Sequence, residues 1–516
     1  MNSVLSVAVV LWVAVTGAAA AQPQPGKIYA EHCAACHGAD RLGGMGPALL
    51  PENLSRLRAG EAQKVIAGGR VATQMPGFGD KLGAGEIETL TRYVYRPPER
   101  VPRWDEAEIR ASRVEHVKPG TAPAKPVFRA DPLNLFVVVE SGDHHVTILD
   151  GDRFEPIHRF ASRFALHGGP KFTPDGRFVF FASRDGWVSK FDLYALKTVV
   201  EARAGINTRN LAVSSDGKFV MVANYLPHTL VLLDADLNLM KVLPAQDSAG
   251  KRTSRVSAVY DAAPRRSFVA ALKDIPEVWE ISYDEKAEPI PVGLIHDFRY
   301  QEGSFIPGRF NPRRSVLTDY LDDFFFTANY NELLATSRDG GRAQVVHLDA
   351  RRGIASVDMP GMPHLGSGIT WDYRGRTVMA TPNLKVGVVT VIDIKDWRKL
   401  KEIPTLGPGF FMRSHENSRF AWVDAMMSPH RDTLQVIDKE TLEVVGSVRP
   451  VPGKTLAHVE FTRDGRYVLA SLWEMDGALI VFDAATLREV KRIPMRKPAG
   501  KYNVYNKITK SSGTSH

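Results

Sequence analysis

Short apolar runs broken by Asp-Gly turns fill the chain from about Asp131 to its C-terminus. One phrase recurs there: an apolar run, a loop, a second apolar run that ends in Asp, and a charged hairpin. It is clearest in PDGRFVFFASRDGWVSKFDL, SSDGKFVMVANYLPHTLVLLD, ENSRFAWVDAMMSPHRDTLQVID and TRDGRYVLASLWEMDGALIVFD, and weaker copies begin near Leu135, Ser267, Phe324 and Thr377. The copies recur about every 40–50 residues, the period of four-stranded propeller blades. The pattern predicts an all-β eight-bladed propeller over 131–516. A seven-bladed ring stays open, whereas an irregular sandwich does not explain the repeat.

The N-terminal part has a helical pattern instead. Residues 26–36 read as a helix and 84–95 as an amphipathic helix, with a Gly-rich stretch at 41–47 between them. These elements predict a small all-α domain over 22–96. Residues 97–130 hold six prolines and few apolar runs, so we expect an extended linker.

The first residues form an apolar run from about Val4 to Val15 that ends in small residues before Gln22. Such a run with an A-x-A cleavage pattern is typical of a secretory signal peptide, here residues 1–21. An uncleaved anchor is the alternative, because no Lys or Arg stands at positions 2 and 3. The run is short for a membrane span, and no later segment reaches that length. We therefore expect a periplasmic mature chain without membrane insertion.

Length and composition narrow the function. A chain of 516 residues exceeds what one hydrophobic core serves, so at least two domains are expected. The net charge is +8, and the basic residues are scattered without a block, which does not suit a nucleic-acid-binding protein. The chain has two cysteines, both in one motif, so an exported protein of this size uses them for something other than a disulfide framework.

The motif CAACH at 33–37 has the spacing of covalent haem attachment. Cys33 and Cys36 lie one helical turn apart, so both thiols reach the haem vinyl groups, and His37 then faces the iron. A redox dithiol or half of a zinc site would leave His37 and a downstream methionine unexplained. The motif predicts one covalently bound haem c.

The sixth ligand of this haem is predicted to be Met75, in the segment QMPGFGD before the last helix of the domain. Pro76 helps to fix that loop. Thioether ligation raises the reduction potential and makes the iron an electron carrier. Met45 is the competitor, but it lies too near the attachment motif to cross the ring easily.

Several segments resemble the cytochrome cd1 nitrite reductases and, more closely, their relatives the dihydro-haem d1 dehydrogenases of haem d1 biosynthesis. The similarity covers essentially the whole mature chain. The most specific segments are RFALHGGPKFTPDGRFVFFASRDG, INTRNLAVSSDGKFVMVANY, MPHLGSGITWD, RSHENSRFAWVDA and AGKYNVYNKIT. The resemblance implies a propeller that binds haem d1 or dihydro-haem d1 non-covalently in its central channel.

The resemblance also implies roles for single residues. His167 matches the proximal ligand of the d1 iron, Lys171 and Arg184 match groups that hold the ring carboxylates, and Arg209 and Tyr225 match further pocket positions. Basic groups are what a buried polycarboxylate needs, and the glycines after His167 allow a flat macrocycle to approach the backbone. Arg184 lies in an Arg-Asp-Gly hairpin, which has an equally good structural interpretation.

Departures from the reductases favour the dehydrogenase. Nitrite reductases place two distal histidines over the d1 iron; the second is kept as His364, whereas Thr318 stands at the first. Ser141 replaces a ring-binding arginine. His458 stands where reductases typically lack a histidine, and the dehydrogenase resemblance makes it the ligand that closes the distal side of the iron. A closed iron would serve as an electron relay and would not bind nitrite readily.

The implied reaction oxidises one propionate of dihydro-haem d1 to an acrylate, with loss of two electrons and two protons and transfer of electrons to haem c. Neutral imidazole suits the abstraction of the proton, and His364 is the candidate base. Tyr502 is either a hydrogen-bonding group in this region or an ordinary capping residue, and His415 is expected to be structural.

Two other functions stay open. An atypical cytochrome cd1 nitrite reductase would have to manage both protons with one histidine, and a haem d1 carrier would bind the ring without catalysis. The expected partners are the tetrapyrrole substrate, cytochrome cd1 nitrite reductase as the acceptor of the product, and a soluble electron acceptor.

Overall fold

The computed structural model describes residues 24–510 apart from short gaps. The gaps are 44–45, 55–56, 71–74, 100–102, 119, 167, 298–301 and 338–339. The predicted signal peptide, His167 and Met45 therefore lie outside the described residues. Within the part that is described, no helix is both long and apolar enough to cross a membrane.

Short helices build the N-terminal domain. They are α1 (Pro25–His32), α2 (Ala34–His37), α3 (Pro51–Leu54), α4 (Ala59–Gly68) and α5 (Ala84–Val94). The helix predicted over 26–36 is divided at Cys33, whose φ of −120° separates α1 from α2. α1 and α4 pack against α5 around Tyr29, Ile66 and Leu90. The prediction of a small all-α domain is confirmed.

The segment after this domain is more structured than its prolines predict. α6 (Glu106–Ala111) begins at Asp105, whose carboxylate accepts a hydrogen bond from the Ala107 N–H at 3.1 Å in a capping box. Ile109 is buried against the propeller, and β1 (Val114–Glu115) extends the outer edge of one propeller sheet. An extended connector is therefore a wrong description of this part, because a capped helix and an added strand attach it to the propeller.

The rest of the chain forms antiparallel four-stranded sheets, which we number as blades 1 to 8 in chain order. Blade 1 contains β2 (Leu135–Glu140), β3 (His145–Asp150) and β4 (Glu155–Ala161). Blade 2 contains β5 (Lys171–Phe172), β6 (Phe178–Ala182), β7 (Trp187–Asp192) and β8 (Lys197–Arg203). Blade 3 contains β9 (Asn207–Val213), β10 (Phe219–Leu226), β11 (Thr229–Asp234) and β12 (Leu239–Pro244). Blade 4 contains β13 (Val256–Ala262), β14 (Ser267–Leu272), β15 (Glu277–Ser282), the inserted hairpin of β16 (Ile290–Asp297) and β17 (Glu302–Ile306), and β18 (Pro312–Val316).

Blades 5 to 8 follow without insertions. Blade 5 contains β19 (Leu321–Phe326), β20 (Glu332–Ser337), β21 (Arg342–His347) and β22 (Arg352–Asp358). Blade 6 contains β23 (Ile369–Tyr373), β24 (Arg376–Pro382), β25 (Val388–Asp393) and β26 (Arg398–Pro404). Blade 7 contains β27 (Met412–Arg413), β28 (Phe420–Asp424), β29 (Leu434–Asp438) and β30 (Glu443–Val448). Blade 8 contains β31 (Leu456–Phe461), β32 (Tyr467–Leu472), β33 (Gly477–Asp483) and β34 (Glu489–Met495).

The C-terminal segment closes the ring. β35 (Pro498–Asn503) pairs antiparallel with β2, so blade 1 combines strands from both ends of the propeller. α7 (Val504–Thr509) packs against β5 and β2, and the Lys510 Nζ lies 3.7 Å from the Asp261 carboxylate on β13. The eight-bladed propeller is confirmed, and the seven-bladed alternative is wrong.

The repeated Asp of the sequence phrase has a structural cause. Asp192 accepts a hydrogen bond from the Tyr194 N–H at 2.8 Å, and Asp438 accepts one from the Glu440 N–H at 2.8 Å. Each carboxylate satisfies N–H groups of the turn between the third and fourth strands of its blade. The phrase therefore recurs once in each of these blades.

The innermost strands define the central channel. They are β35, β5, β9, β13, β19, β23, β27 and β31. Because neighbouring strands are antiparallel, loops from one blade to the next and loops between second and third strands lie on the same face of the propeller. We call this the site face.

Candidate functional site

His37 ends α2 with a buried imidazole. Its Nδ1 lies 2.7 Å from the carbonyl oxygen of Pro47, and because a carbonyl only accepts, Nδ1 carries the proton. Nε2 then keeps its lone pair. Burial lowers the pKa of His37, which favours the neutral form. An imidazole oriented in this way is suited to bind a metal through Nε2.

The two cysteines precede this histidine as thiols that form no disulfide. Cys33 is buried in the core of the domain, and burial raises the pKa of its thiol to about 11. Cys36 is half-buried, and Met75 packs half-buried against the same apolar core. Two unbridged thiols, an imidazole fixed through Nδ1 and a thioether in one small core fit a covalently attached haem.

Charged and aromatic side chains of the innermost strands meet in the propeller channel. They are Lys171 on β5, Arg209 on β9, Tyr260 on β13, Asp323 on β19, Arg413 on β27, His458 on β31 and Tyr502 on β35. The site face adds Arg184, Tyr225 and His364. The charge of Asp323 acts on Lys171, Arg209 and His364, so these groups from separate blades lie near one another.

One cationic group in the channel surrounds Tyr225. Its hydroxyl accepts a hydrogen bond from Lys273 Nζ at 3.1 Å. Burial opposes ionisation of this phenol, but Arg209, Lys273 and Arg184 together lower the pKa of Tyr225. Burial, and then the like charge of Arg209, lowers the pKa of Arg184 to about 10. These positive charges repel one another, and a bound anion would relieve the repulsion.

A second cationic group lies toward the C-terminal helix. Burial, then the charges of Lys510 and Arg413, lowers the pKa of Lys171 to about 8. Burial also lowers the pKa of Arg413, which is 4 % exposed and whose Nε has no hydrogen-bond partner among the described residues. Lys507 on α7 belongs to the same group, because burial and then Arg413 lower its pKa. Glu460 is the carboxylate that offsets part of this charge.

His364 and His458 flank a pair of phenylalanines. The His364 ring lies 4.1 Å from the ring of Phe410, and its Nδ1 donates to the Phe410 carbonyl oxygen at 2.6 Å. The ring of Phe411 lies 4.6 Å from that of His458 and 6.4 Å from that of His364. The two histidines therefore lie on either side of the Phe410–Phe411 pair.

His458 occupies an irregular place in its strand. Its φ is +50°, a left-handed conformation that is uncommon for a side chain other than glycine, and it forms a β-bulge between Ala457 and Val459. The bulge turns the imidazole out of the regular alternation. Lys501 lies behind it and donates to the His458 carbonyl oxygen and, at 2.8 Å, to Ser471 Oγ. Burial, and then Lys501 and Arg413, lowers the pKa of His458 well below its usual value, so the imidazole is neutral.

Tyr502 lies between the two ends of the site. Its ring is 5.3 Å from that of His458 in an edge-on contact, and a Cβ at Gly169 would approach the Tyr502 ring to 3.1 Å. Gly169 has a φ of +71°, so this stretch needs glycine for both space and conformation. Burial raises the pKa of Tyr502 to about 12. Tyr502 therefore belongs to the channel rather than to a surface cap.

The structure brings most of the predicted propeller residues into one channel: Lys171, Arg184, Arg209, Tyr225, His364 and His458. His167 lies outside the described residues, although Gly168 and Gly169 beside it lie at the channel. Sequence reasoning missed Arg413, Lys507, Tyr260 and Asp323. The sequence did contain a signal for two of them. Arg413 lies in the segment RSH at the end of β27, and Lys507 lies in the C-terminal segment KYNVYNK on α7.

Thr318, Ser141 and His415 belong to neither cationic group. Thr318 is exposed in the loop before β19 and accepts a hydrogen bond from Gln344 Nε2 at 3.1 Å. Ser141 donates to the Lys497 carbonyl oxygen at 3.1 Å. His415 is fully buried on the opposite face, where its Nδ1 accepts from the Asn417 N–H at 3.1 Å.

Comparisons with known proteins agree with this architecture. A family model described as “Cytochrome D1 heme domain” matches residues 130–507, and one described as “Cytochrome C oxidase, cbb3-type, subunit III” matches residues 20–94. The chain belongs to the cytochrome D1 heme-domain family. The second match agrees with a cytochrome c fold for the N-terminal domain.

Three known proteins are similar in sequence to this chain. “Dihydro-heme d1 dehydrogenase” of Pseudomonas aeruginosa is 57% identical and aligns with 95% of this chain and 96% of its own. “Protein NirF” of the same organism is 30% identical over 71% of this chain and 90% of its own. “Nitrite reductase” of Stutzerimonas stutzeri is 23% identical over 93% of this chain and 92% of its own. The predicted relationship to the dihydro-haem d1 dehydrogenases is confirmed.

A solved structure extends the comparison. “Dihydro-heme d1 dehydrogenase NirN in complex with DHE” is 56% identical and superposes with a TM-score of 0.81 over 94% of this chain and 100% of its own. That protein was therefore solved with a ligand bound.

Proposed function

We propose that this protein is a periplasmic oxidoreductase of haem d1 biosynthesis that binds dihydro-haem d1 in the propeller channel. It oxidises one propionate side chain to an acrylate and passes the electrons to a haem c attached to its own N-terminal domain. The single observation that carries the proposal is the convergence of two neutral histidines with two cationic groups in one channel. The family and the 57% identical relative support the choice of substrate.

The cationic groups supply the binding energy for a polycarboxylate. Arg184 and Arg209 form one anchor beside Tyr225, and Lys171 with Arg413 forms another. Each charge-assisted hydrogen bond to a carboxylate contributes about 1.5–3 kcal/mol. A macrocycle with carboxylates on more than one edge is held at both anchors, which fixes one propionate for reaction.

His364 is the proposed base. Its Nδ1–H is committed to the Phe410 carbonyl oxygen, so Nε2 keeps a lone pair that accepts a proton. Burial, opposed by the charge of Asp323, lowers the pKa of His364, so the imidazole is neutral at pH 7. His458, the neutral residue of the β-bulge, and His167 are the residues that we propose would bind the substrate iron.

The electron balance supports a role of the N-terminal domain as an electron acceptor. Conversion of –CH2–CH2– to –CH=CH– releases two electrons and two protons. When bound at Cys33, Cys36, His37 and Met75, haem c supplies a one-electron acceptor. The iron of the bound substrate and haem c would each take one of the two electrons, His364 would take one proton and water the other, and a soluble acceptor would then reoxidise the protein. Residues 1–21 as a signal peptide support a periplasmic location, where cytochrome cd1 nitrite reductase is the proposed recipient of the product.

Anaerobic incubation with dihydro-haem d1 and an electron acceptor tests the activity. We expect the wild-type protein to yield a product two hydrogens lighter by mass spectrometry. His364→Ala should bind the substrate with unchanged affinity and slow the conversion about a hundredfold or more. His430→Ala is the matched control, because His430 is an exposed histidine of the same face.

Two outcomes would contradict the proposal. Unchanged substrate together with turnover of nitrite to nitric oxide would identify a nitrite reductase. Unchanged but tightly bound substrate, without nitrite turnover, would identify a haem d1 carrier.

A further inference from the structure

Asp424 is a buried carboxylate that touches no histidine side chain yet is connected to both channel histidines. It ends β28 in blade 7 and is 1 % exposed. Its Oδ1 accepts the Phe410 N–H at 2.7 Å, and its Oδ2 accepts the Phe411 N–H at 3.1 Å. Within the described part of the chain, no lysine or arginine forms an ion pair with it.

The first connection leads to His364. The Phe410 N–H donates to Asp424, and the carbonyl oxygen of the same residue accepts the proton of His364 Nδ1 at 2.6 Å. The ring of Phe410 also packs at 4.1 Å on the imidazole. A shift of this backbone therefore moves the partner that fixes the tautomer and the tilt of His364.

The second connection leads to His458. The backbone N–H of His458, at the β-bulge that gives this residue its left-handed conformation, also favours the ionised form of this carboxylate, so it lies close to Asp424. Phe411, which Asp424 also holds, contacts the His458 ring at 4.6 Å. One carboxylate thus accepts N–H groups from the loop before β27 and lies close to the irregular point of β31.

Asp438, in the same blade, shows what an ordinary buried aspartate does in this fold. It is also buried and accepts N–H groups, but those groups come from its own hairpin, and Arg419 pairs with it at 2.6 Å. Asp424 also accepts the Met426 N–H of its own hairpin, at 3.4 Å, but in addition it contacts two separate segments, and each of them carries or holds a channel histidine.

We propose that Asp424 is a positioning residue that sets the spacing between His364 and His458. This inference rests on the proposed function for its effect on rate, but not for its effect on the ligation of bound iron. Asp424→Asn keeps the shape and one acceptor, while its amide group faces a backbone N–H and cannot accept it.

The test compares Asp424→Asn with Asp438→Asn in the full-length holoprotein. With Asp424→Asn we expect kcat for dihydro-haem d1 oxidation to fall about 10- to 100-fold while the Kd for haem d1 stays within about twofold. We also expect the absorption spectrum of bound haem d1 to show partial loss of the low-spin form. Asp438→Asn should lower the unfolding temperature and leave kcat and the spectrum unchanged.

A double variant separates the two connections. In the His364→Ala background, Asp424→Asn should change the rate by less than about twofold, because the base that it positions is already gone, and should still change the spectrum through His458. If Asp424→Asn changes only the unfolding temperature, as Asp438→Asn does, the inference is wrong. If the wild-type protein binds haem d1 but oxidises nothing, the proposed function fails and the spectral comparison still decides the role of Asp424.

A measurement on the wild-type protein covers the case in which Asp424→Asn does not fold. Amide hydrogen exchange should show the Phe410, Phe411 and His458 N–H groups as slow as those of the blade cores. Fast exchange of Phe410 and Phe411 would contradict the inference, because a loop without this carboxylate has no reason to be protected.

Discussion

The charged amine of Lys171 destabilises the folded protein when no ligand is bound. A bound substrate carboxylate is expected to remove this destabilisation. The pKa of Lys171 falls from 10.5 to about 8 because of burial and then the charges of Lys510 and Arg413. That difference corresponds to about 3 kcal/mol of destabilisation while the amine is ionised. Because Lys171 is only half-buried, solvent screening reduces the expected cost to about 1–2 kcal/mol.

The sign of the pH dependence follows from the lowered pKa. The folded protein binds this proton less tightly than the unfolded chain does, so the cost is fully present below about pH 8. It falls as the pH rises from about 8 and is gone above the pKa of the unfolded chain. Lys171→Met keeps the apolar stem and removes the charge. We therefore expect the ligand-free variant to be more stable by about 1–2 kcal/mol at pH 7, with a smaller difference at pH 10.

The same substitution should weaken substrate binding. Loss of one charge-assisted contact raises the Kd for haem d1 about tenfold or more. Urea unfolding at pH 7 and pH 10 and a spectroscopic titration with haem d1 measure both effects. Lys439→Met is the control: burial lowers the pKa of Lys439 to about 8 as well, but its Nζ bonds the His415 carbonyl oxygen on the other face. A Lys171→Met variant that is less stable at pH 7 and binds haem d1 normally would refute this reasoning.

Three further predictions concern the two haem sites. Met75→Ala should abolish the sulfur-to-iron absorption band of haem c and lower its reduction potential. If the band survives in this variant but is lost in Met45→Ala, then Met45 is the ligand and Met75 is not. His458→Ala should convert bound haem d1 to a high-spin spectrum without loss of binding, whereas an unchanged low-spin spectrum would exclude it as a ligand. Arg209→Met should raise the Kd for haem d1 about tenfold and leave the haem c spectrum unchanged; equal affinity would argue against that anchor.

The repeat pattern predicted the propeller because each copy contains a side chain that caps a hairpin turn of its own blade. In six of the eight blades an Asp ends the third strand and caps the hairpin turn, and Ser282 and His347 accept the turn N–H groups in blades 4 and 5, so the repeat marked the blades through these turns. The linker was harder to predict, because α6 depends on a cap at Asp105 and on the packing of Trp104 and Ile109 against the propeller, which do not stand out among the prolines.

The site was predictable only in part. Residues such as Lys171 and His364 lie in phrases that resemble a known family, so sequence alone singled them out. Arg413, Asp323 and Tyr260 lie far apart in the chain and meet only because the ring brings their innermost strands together. The bulge at His458 and its carboxylate partner Asp424 depend on pairing register, which a single sequence does not reveal.

We propose that electrons pass from the substrate in the propeller to the haem of the same chain. Anaerobic stopped-flow mixing of the oxidised protein with dihydro-haem d1 measures this directly through the reduced haem c absorption band. We expect first-order reduction with a rate constant that does not depend on protein concentration, and no product from a Cys33→Ser/Cys36→Ser variant without haem. Formation of the acrylate product while haem c stays oxidised would contradict electron transfer to this haem.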